Sequence, residues 1–199
     1  MINLISPQQL YKQCVDSVAF IANIKNDGTK EYGGAIVYQP DGTLITAYHV
    51  IRDANILSIS FPNGKVYSAT VINFDPGRDL AWLKIDSTDI FKAATLRTKP
   101  IQIGAQVFAI GHPFRLMWSY TEGIVSQIRK DYVIPGKYVF HECLQTDTAL
   151  NPGNSGAPIF DRNGQVVAMA NITVSPKGVS EGAGLCTATN ELIRFMKGQ

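Results

Sequence analysis

Hydrophobic positions along the chain change their period once. Near the start, Ser6-Pro7-Gln8-Gln9 leads into Leu10 and Cys14, four residues apart. A serine cap, a proline in the first turn and a glutamine three residues after the serine are the signature of a helix N-terminus with a capping box. The spacing predicts a short helix with Leu10 and Cys14 on one face. It gives way to the apolar run 18–24, and from there the period is two.

Turn residues then recur at short intervals. Gln39-Pro40-Asp41-Gly42 separates 35–38 from 43–47, and Pro62-Asn63-Gly64 separates 56–61 from 65–72. Asp161-Arg162-Asn163-Gly164 separates 158–160 from 165–170. Proline presets the turn and glycine supplies positive φ, so each pair of flanks reads as a hairpin. Segments 81–85, 106–110 and 123–128 add further short β-rich stretches. Many short strands with regular turns specify an antiparallel sandwich or barrel, an all-β class. The polar break Thr98-Lys99-Pro100 divides the strands into lobes at 18–97 and 101–188 of a single domain spanning 1–199. The final segment, 189–199, begins with a capped amphipathic helix over 189–196.

Charge narrows the range of partners. The net charge is +2 and the basic residues are scattered, Arg129-Lys130 being the densest pair. That pair reads as a solvated hairpin end, so neither nucleic acid nor an anionic membrane is an expected partner. Cys14, Cys143 and Cys186 cannot all pair within one chain, and no CxxC spacing suggests zinc. No metal or other cofactor is expected. Free thiols with apolar neighbours, a start without a signal-peptide pattern and no transmembrane-length apolar run lead to the expectation of a cytoplasmic protein.

The stretch Gln145-Thr146-Asp147-Thr148-Ala149-Leu150-Asn151-Pro152-Gly153-Asn154-Ser155-Gly156-Ala157-Pro158 is unusually dense in turn formers around one serine. If Ser155 is a nucleophile it needs a base, because a serine hydroxyl is a weak nucleophile at neutral pH. The three histidines are His49 at a strand end, His112 on a tight turn and His141 in a polar strand end. Any one alone is more often structural. The base in turn needs a buried carboxylate. Asp79, in Asp79-Leu80-Ala81-Trp82-Leu83, directly precedes an apolar strand, whereas Asp75, before Pro76-Gly77, suits a turn. The order His49, Asp79, Ser155 is that of the chymotrypsin-type arrangement. Gly153 then supplies a backbone donor for an oxyanion, together with the amide of Ser155, and Gly156 lets the chain pack closely behind the nucleophile.

These segments resemble the HtrA/Deg branch of the chymotrypsin-like serine proteases. The resemblance rests on 42–50, 75–85 and 107–114, on Thr121-Glu122-Gly123-Ile124-Val125-Ser126, on Gln145-Thr146-Asp147 and on Asn151-Pro152-Gly153-Asn154-Ser155-Gly156. It implies two antiparallel six-stranded β-barrels with a short N-terminal helix and a C-terminal helix, and a serine endopeptidase acting on exposed or unfolded polypeptide. It assigns His49 as general base, Asp79 as orienting acid and Ser155 as nucleophile, with Gly153, Asn154 and Ser155 around the oxyanion. Met169, Ala170 and Asn171 fall in the strand that pairs with substrate. Ala149, six residues before the nucleophile, resembles the pocket floor, with Leu185 and Cys186 nearby. An uncharged floor favours a small or medium aliphatic residue before the scissile bond.

Several positions depart from that family. Ala157 replaces a glycine, His112 stands where asparagine or serine is common, and Met169-Ala170-Asn171 replaces Ile-Asn-Thr. The chain ends where a PDZ domain normally follows, and the N-terminal extension is short, leaving monomer and homotrimer both open. Asn154 is neutral, so it cannot form the ion pair by which trypsin-like zymogens mature, and no activating N-terminal cut is expected. Two other readings compete with an enzyme. One is a catalytically weak or latent protease-like module that binds peptides or partners. The other is a backbone anion nest at 153–156, which leaves His49 and Asp79 without a purpose.

Overall fold

The computed structural model describes residues 5–136, 138–173 and 182–199. Helix α1 (Pro7–Cys14) is followed by strands β1 (Val18–Lys25), β2 (Lys30–Gln39) and β3 (Thr43–Thr46), then the single turn α2 (Tyr48–Ile51). Strands β4 (Ala54–Ser60), β5 (Val66–Asp75) and β6 (Leu80–Ile85) complete a closed antiparallel barrel in the order β1-β2-β3-β6-β5-β4. After β7 (Thr95–Leu96) come β8 (Gln106–Gly111), β9 (Ser119–Ile134), β10 (Tyr138–Thr146), β11 (Pro158–Asp161), β12 (Gln165–Thr173) and β13 (Gly184–Ala188), and then α3 (Thr189–Met196). The second sheet runs β11-β8-β9-β10-β13-β12, and a β11–β12 pairing joins its ends into a ring of six. The short β7 adds to β12 in parallel. The expected all-β double barrel with a helix at each end is what the chain forms.

Local chemistry accounts for the elements. Ser6 Oγ accepts from the Gln9 amide and Gln9 Oε1 accepts from the Ser6 amide, closing the capping box, while Leu10 and Cys14 are buried. The three hairpin turns place Gly42, Gly64 and Gly164 at positive φ. Two expectations need correction. Thr189 caps nothing: its hydroxyl donates to the Val166 carbonyl at 3.0 Å, pinning α3 to β12, and Ala188 occupies the N-cap. Arg129-Lys130 lie within the 16-residue β9, short of its end, and the turn falls at Pro135-Gly136 instead. Strand β9 buries only Val125, so its alternation of apolar and polar residues is weak where the strand runs longest.

Strand β8 explains how the barrels join. Val107 and Ala109 enter the second barrel's core with Val125, Leu144 and Ile159. Phe108 and Ile110, on the opposite face, join a cluster that includes Phe160, Met169 and the first barrel's Ile36, Leu44 and Leu83. A strand buried on both faces reads as a continuous apolar run. The backbones also meet directly. The Gly34 amide donates to the Ser155 carbonyl at 2.8 Å, and a Cβ on Gly34 would lie 2.9 Å from Ala157 Cα and Cβ. The Ala157 methyl therefore occupies room left by a glycine across the interface. Gly34→Ala is expected to destabilise the fold by about 1–3 kcal/mol through overpacking. The check is a lower urea midpoint with unchanged slope.

Candidate active site

One carboxylate organises the first barrel's contribution. Asp79, immediately before β6, sits at φ +55 and is fully buried. Its main-chain oxygen accepts from the Tyr48 amide at 3.2 Å, and Oδ1 accepts from the His49 amide at 2.9 Å. Asp79 thus satisfies the first amides of α2, which leaves His49 on a one-turn helix and not at the strand end the sequence predicts. The imidazole Nδ1 lies 3.0 and 2.9 Å from Oδ1 and Oδ2. A carboxylate only accepts, so Nδ1 carries the hydrogen and Nε2 is left with its lone pair. The His49 side chain remains one-quarter exposed. Asp75 takes the role its turn suggested, accepting from the amide and guanidinium of Arg78.

Asn171 connects this pair to the second barrel. Its Nδ2 donates to Asp79 Oδ2 at 3.1 Å, and its Oδ1 accepts from the amide and hydroxyl of Thr187. Its carbonyl accepts from Ser155 Oγ at 3.1 Å. Among the described residues, no hydrogen bond joins Ser155 to His49. Proximity is set by the backbone: a Cβ on Gly33 would lie 2.7 Å from both the Ser155 carbonyl and the side chain of Val50, the neighbour of His49.

The loop carrying Ser155 is held from three sides. Gly156, at φ +85, donates to the Ala170 carbonyl, and a Cβ there would strike Gly34 O and Thr46 Oγ1. Pro152 accepts from the Phe114 amide at 2.7 Å. Asn154, nearly fully buried, accepts at Oδ1 from the His112 amide at 2.9 Å. Gly153 sits at φ +101 with the His112 carbonyl where a Cβ would be. Among the described residues, the amides of Gly153 and Ser155 make no hydrogen bond. The Asn154 amide does, donating to Asn151 O at 2.9 Å. Asn154, expected among the oxyanion donors, therefore acts through its side chain, and the two free amides flank it.

His112 acquires a place that its sequence position did not reveal. It is fully buried, donates from Nε2 to Ala19 O and accepts at Nδ1 from the Trp118 amide, both at 3.1 Å. The rings of Phe20 and Trp118 stand edge-on to it. Phe114, Arg115 and Trp118 all have positive φ. Such strained backbone persists only where its surroundings over-determine it, and His112 supplies two of those constraints by accepting from Arg115 and Trp118. His141, by contrast, is a surface residue 3.3 Å from the exposed Asp131.

The expected substrate contacts divide. Ala149 is exposed, and its carbonyl accepts from Asn154 Nδ2 and Thr121 Oγ1. Met169, Ala170 and Cys186 are packed in the cores, and Leu185 lies against Phe140 and Cys143. Asn171 turns its side chain inward, so these strands present main-chain groups before side chains.

A double barrel that sets a buried Asp–His pair in one barrel beside the serine loop of the other defines a chymotrypsin-like protease architecture. Comparison gives the family. Residues 33–169 match the trypsin-like peptidase domain, and the chain belongs to that family. It is 31% identical over a 216-residue alignment to Protease Do-like 1, chloroplastic, of Arabidopsis thaliana, covering 95% of this chain and 48% of that protein. It is 34% identical over 152 residues to a probable periplasmic serine endoprotease DegP-like of Chlamydia pneumoniae, covering 76% and 31%. The solved HtrA-type protease AlgW with tripeptide superposes with a TM-score of 0.90 at 30% identity, covering 98% of this chain and 63% of that one. The chain spans about half the length, or less, of the curated relatives it matches.

These relatives overturn the cytoplasmic expectation, since they are named as chloroplastic or periplasmic proteases. The reasoning from free thiols fails for a physical reason. All three cysteines are buried, and desolvation pushes Cys14 and Cys143 up to about 11 and Cys186 higher still. Thiols so shielded hardly ionise, so their being unpaired carries no information about the compartment.

Burial also pushes His112 down from 6.5 to about 4. The unfolded chain takes up this proton near 6.5 and the folded chain only near 4, so the contribution is complete above 6.5 and lost as pH falls through that window. Relative to His112→Asn, the wild type is expected to lose about 3 kcal/mol more stability between pH 7.5 and 4. Urea midpoints of both proteins at the two pH values provide the check.

Proposed function

We propose that the protein is a serine endopeptidase that hydrolyses exposed or unfolded polypeptide through an acyl-enzyme. The observation that carries the reading is the fully buried Asp79 carboxylate, held by His49 and Asn171 while Asn171 also accepts from Ser155. An entering peptide lies along the edge of β12, and Ser155 Oγ swings from the Asn171 carbonyl to His49 Nε2 by rotation about its Cα–Cβ bond. Oγ attacks the peptide carbonyl as Nε2 accepts its proton, and Asp79 stabilises the resulting imidazolium. The carbonyl oxygen becomes an anion facing the Gly153 and Ser155 amides. Collapse breaks the C–N bond, and the imidazolium gives its proton to the departing amine. Water, deprotonated by His49, then releases the acid and frees Ser155. The neutral, hydrogen-bonded Asn154 supports a loop that needs no new N-terminal ammonium to hold it. The uncharged Ala149 supports a small or medium aliphatic residue before the scissile bond.

One observation favours a second reading. Ser155 Oγ rests on the Asn171 carbonyl without a hydrogen bond to His49, which suits a latent protease-like module that binds polypeptide. A fluorophosphonate probe with mass spectrometry separates the two, applied with and without unfolded casein. The enzyme reading expects an adduct on Ser155, no casein cleavage by Ser155→Ala, and a cleavage profile poor in Lys and Arg before the cut. Undiminished cleavage by Ser155→Ala sinks the assignment, and a serine never labelled under either condition leaves the binding module. Asp79→Asn keeps the shape but presents an amide where Nδ1–H needs an acceptor. It is expected to lower turnover about 10⁴-fold while labelling remains detectable over long incubation.

A further inference from the structure

The β9–β10 ribbon reaches across to the first barrel. Its strands pair from Thr146 to the tip, where Tyr138 opposes Ile134. The ribbon is tied down there, because the Val139 amide donates to the Gly77 carbonyl at 3.0 Å, two residues before Asp79. Tyr138 is half-buried, and its ring centroid stands 6.4 Å from that of His49 at a 32° tilt. Its other neighbour is Phe140, edge-on at 6.2 Å, itself buried with Cys143 and Leu185. A side chain needs about 3.5–4 Å of clearance from each of two surfaces it packs between. The space between the Tyr138 and His49 rings is therefore too narrow to admit a large side chain.

An extended peptide alternates its side chains between two faces. If the residue before the scissile bond points toward Ala149 in the second barrel, the preceding residue points toward the first barrel and His49. Tyr138 stands at that place. Among the described residues its hydroxyl makes no hydrogen bond, so what it presents is the ring.

We propose that Tyr138 is a specificity-determining residue, the wall that restricts the second residue before the scissile bond to small side chains. The proposal rests on the endopeptidase reading above. It identifies a selectivity set by the ribbon and not by the serine loop. Tyr138 transfers no proton, and its contribution is steric.

The test is a series of internally quenched peptides identical except at that position, carrying Ala, Val, Leu or Phe. Wild type is expected to prefer Ala over Phe. In Tyr138→Ala the kcat/KM ratio of the Phe to the Ala peptide is expected to rise about tenfold or more. Tyr138→Phe should leave the ratio unchanged, because the ring stays. Tyr138→Leu, which keeps apolar packing on Phe140, should move it in the same direction by less, and serves where the alanine variant does not fold. A ratio unmoved within twofold in both Tyr138→Ala and Tyr138→Leu overturns the wall. A uniform loss across the series in both also overturns it, since that would make Tyr138 a support for His49 alone. If wild type cleaves no peptide and never takes the fluorophosphonate label, the endopeptidase reading falls and this proposal with it.

Discussion

The buried carboxylate of Asp79 is the constraint on which the rest of the site depends. A fully buried anion is costly unless donors surround it, and here they come from two elements, one in each barrel. The His49 amide and imidazole approach from α2, and Asn171 approaches from β12. Meeting that demand fixes where α2 begins, which tautomer His49 adopts and how β12 sits against the first barrel. The same Asn171 holds Ser155 Oγ through its carbonyl. One charge therefore relates a histidine in one barrel to a serine in the other.

Close approach of backbone is the second requirement. The serine loop lies on β2 through Gly34 and Gly156, at distances that leave no room for side chains. Ala157 shows how one departure is absorbed, its methyl filling space above Gly34. His112 shows another: where the family resemblance leads one to expect a small polar residue, β1, Trp118 and Phe20 close around an imidazole. Its amide and carbonyl meanwhile face Asn154 and Gly153. A strained segment and a loop with two unpaired amides thus hold each other.

The two barrels contribute different kinds of order. The first delivers the histidine and aspartate on elements packed into a continuous core. The second delivers the serine on a loop whose supports are hydrogen bonds from a neighbouring turn. From the second barrel the β9–β10 ribbon reaches His49 through Tyr138, so its length and its turn decide what surrounds that imidazole. Its location could not be read from the apolar run 123–128, because a ribbon with two half-exposed faces gives little periodic signal.

What the sequence by itself determined was the double-barrel class, the hairpin turns and the capping box, and it singled out His49, Asp79 and Ser155 as candidates. These are legible because they are local: a Pro-Asp-Gly turn needs glycine at positive φ, an alternating strand needs one buried face, and a nucleophile loop needs glycines around its serine. Only the tertiary structure decided that His49 lies on a helical turn, that Asn154 works through its side chain, that Asn171 faces Asp79, and that His112 and Tyr138 have places at the site. Those outcomes depend on partners 30 to 93 residues away in the chain, and no local pattern records which distant donor will reach a buried acceptor. The compartment was misread for the same reason: a free thiol says little until its burial is known.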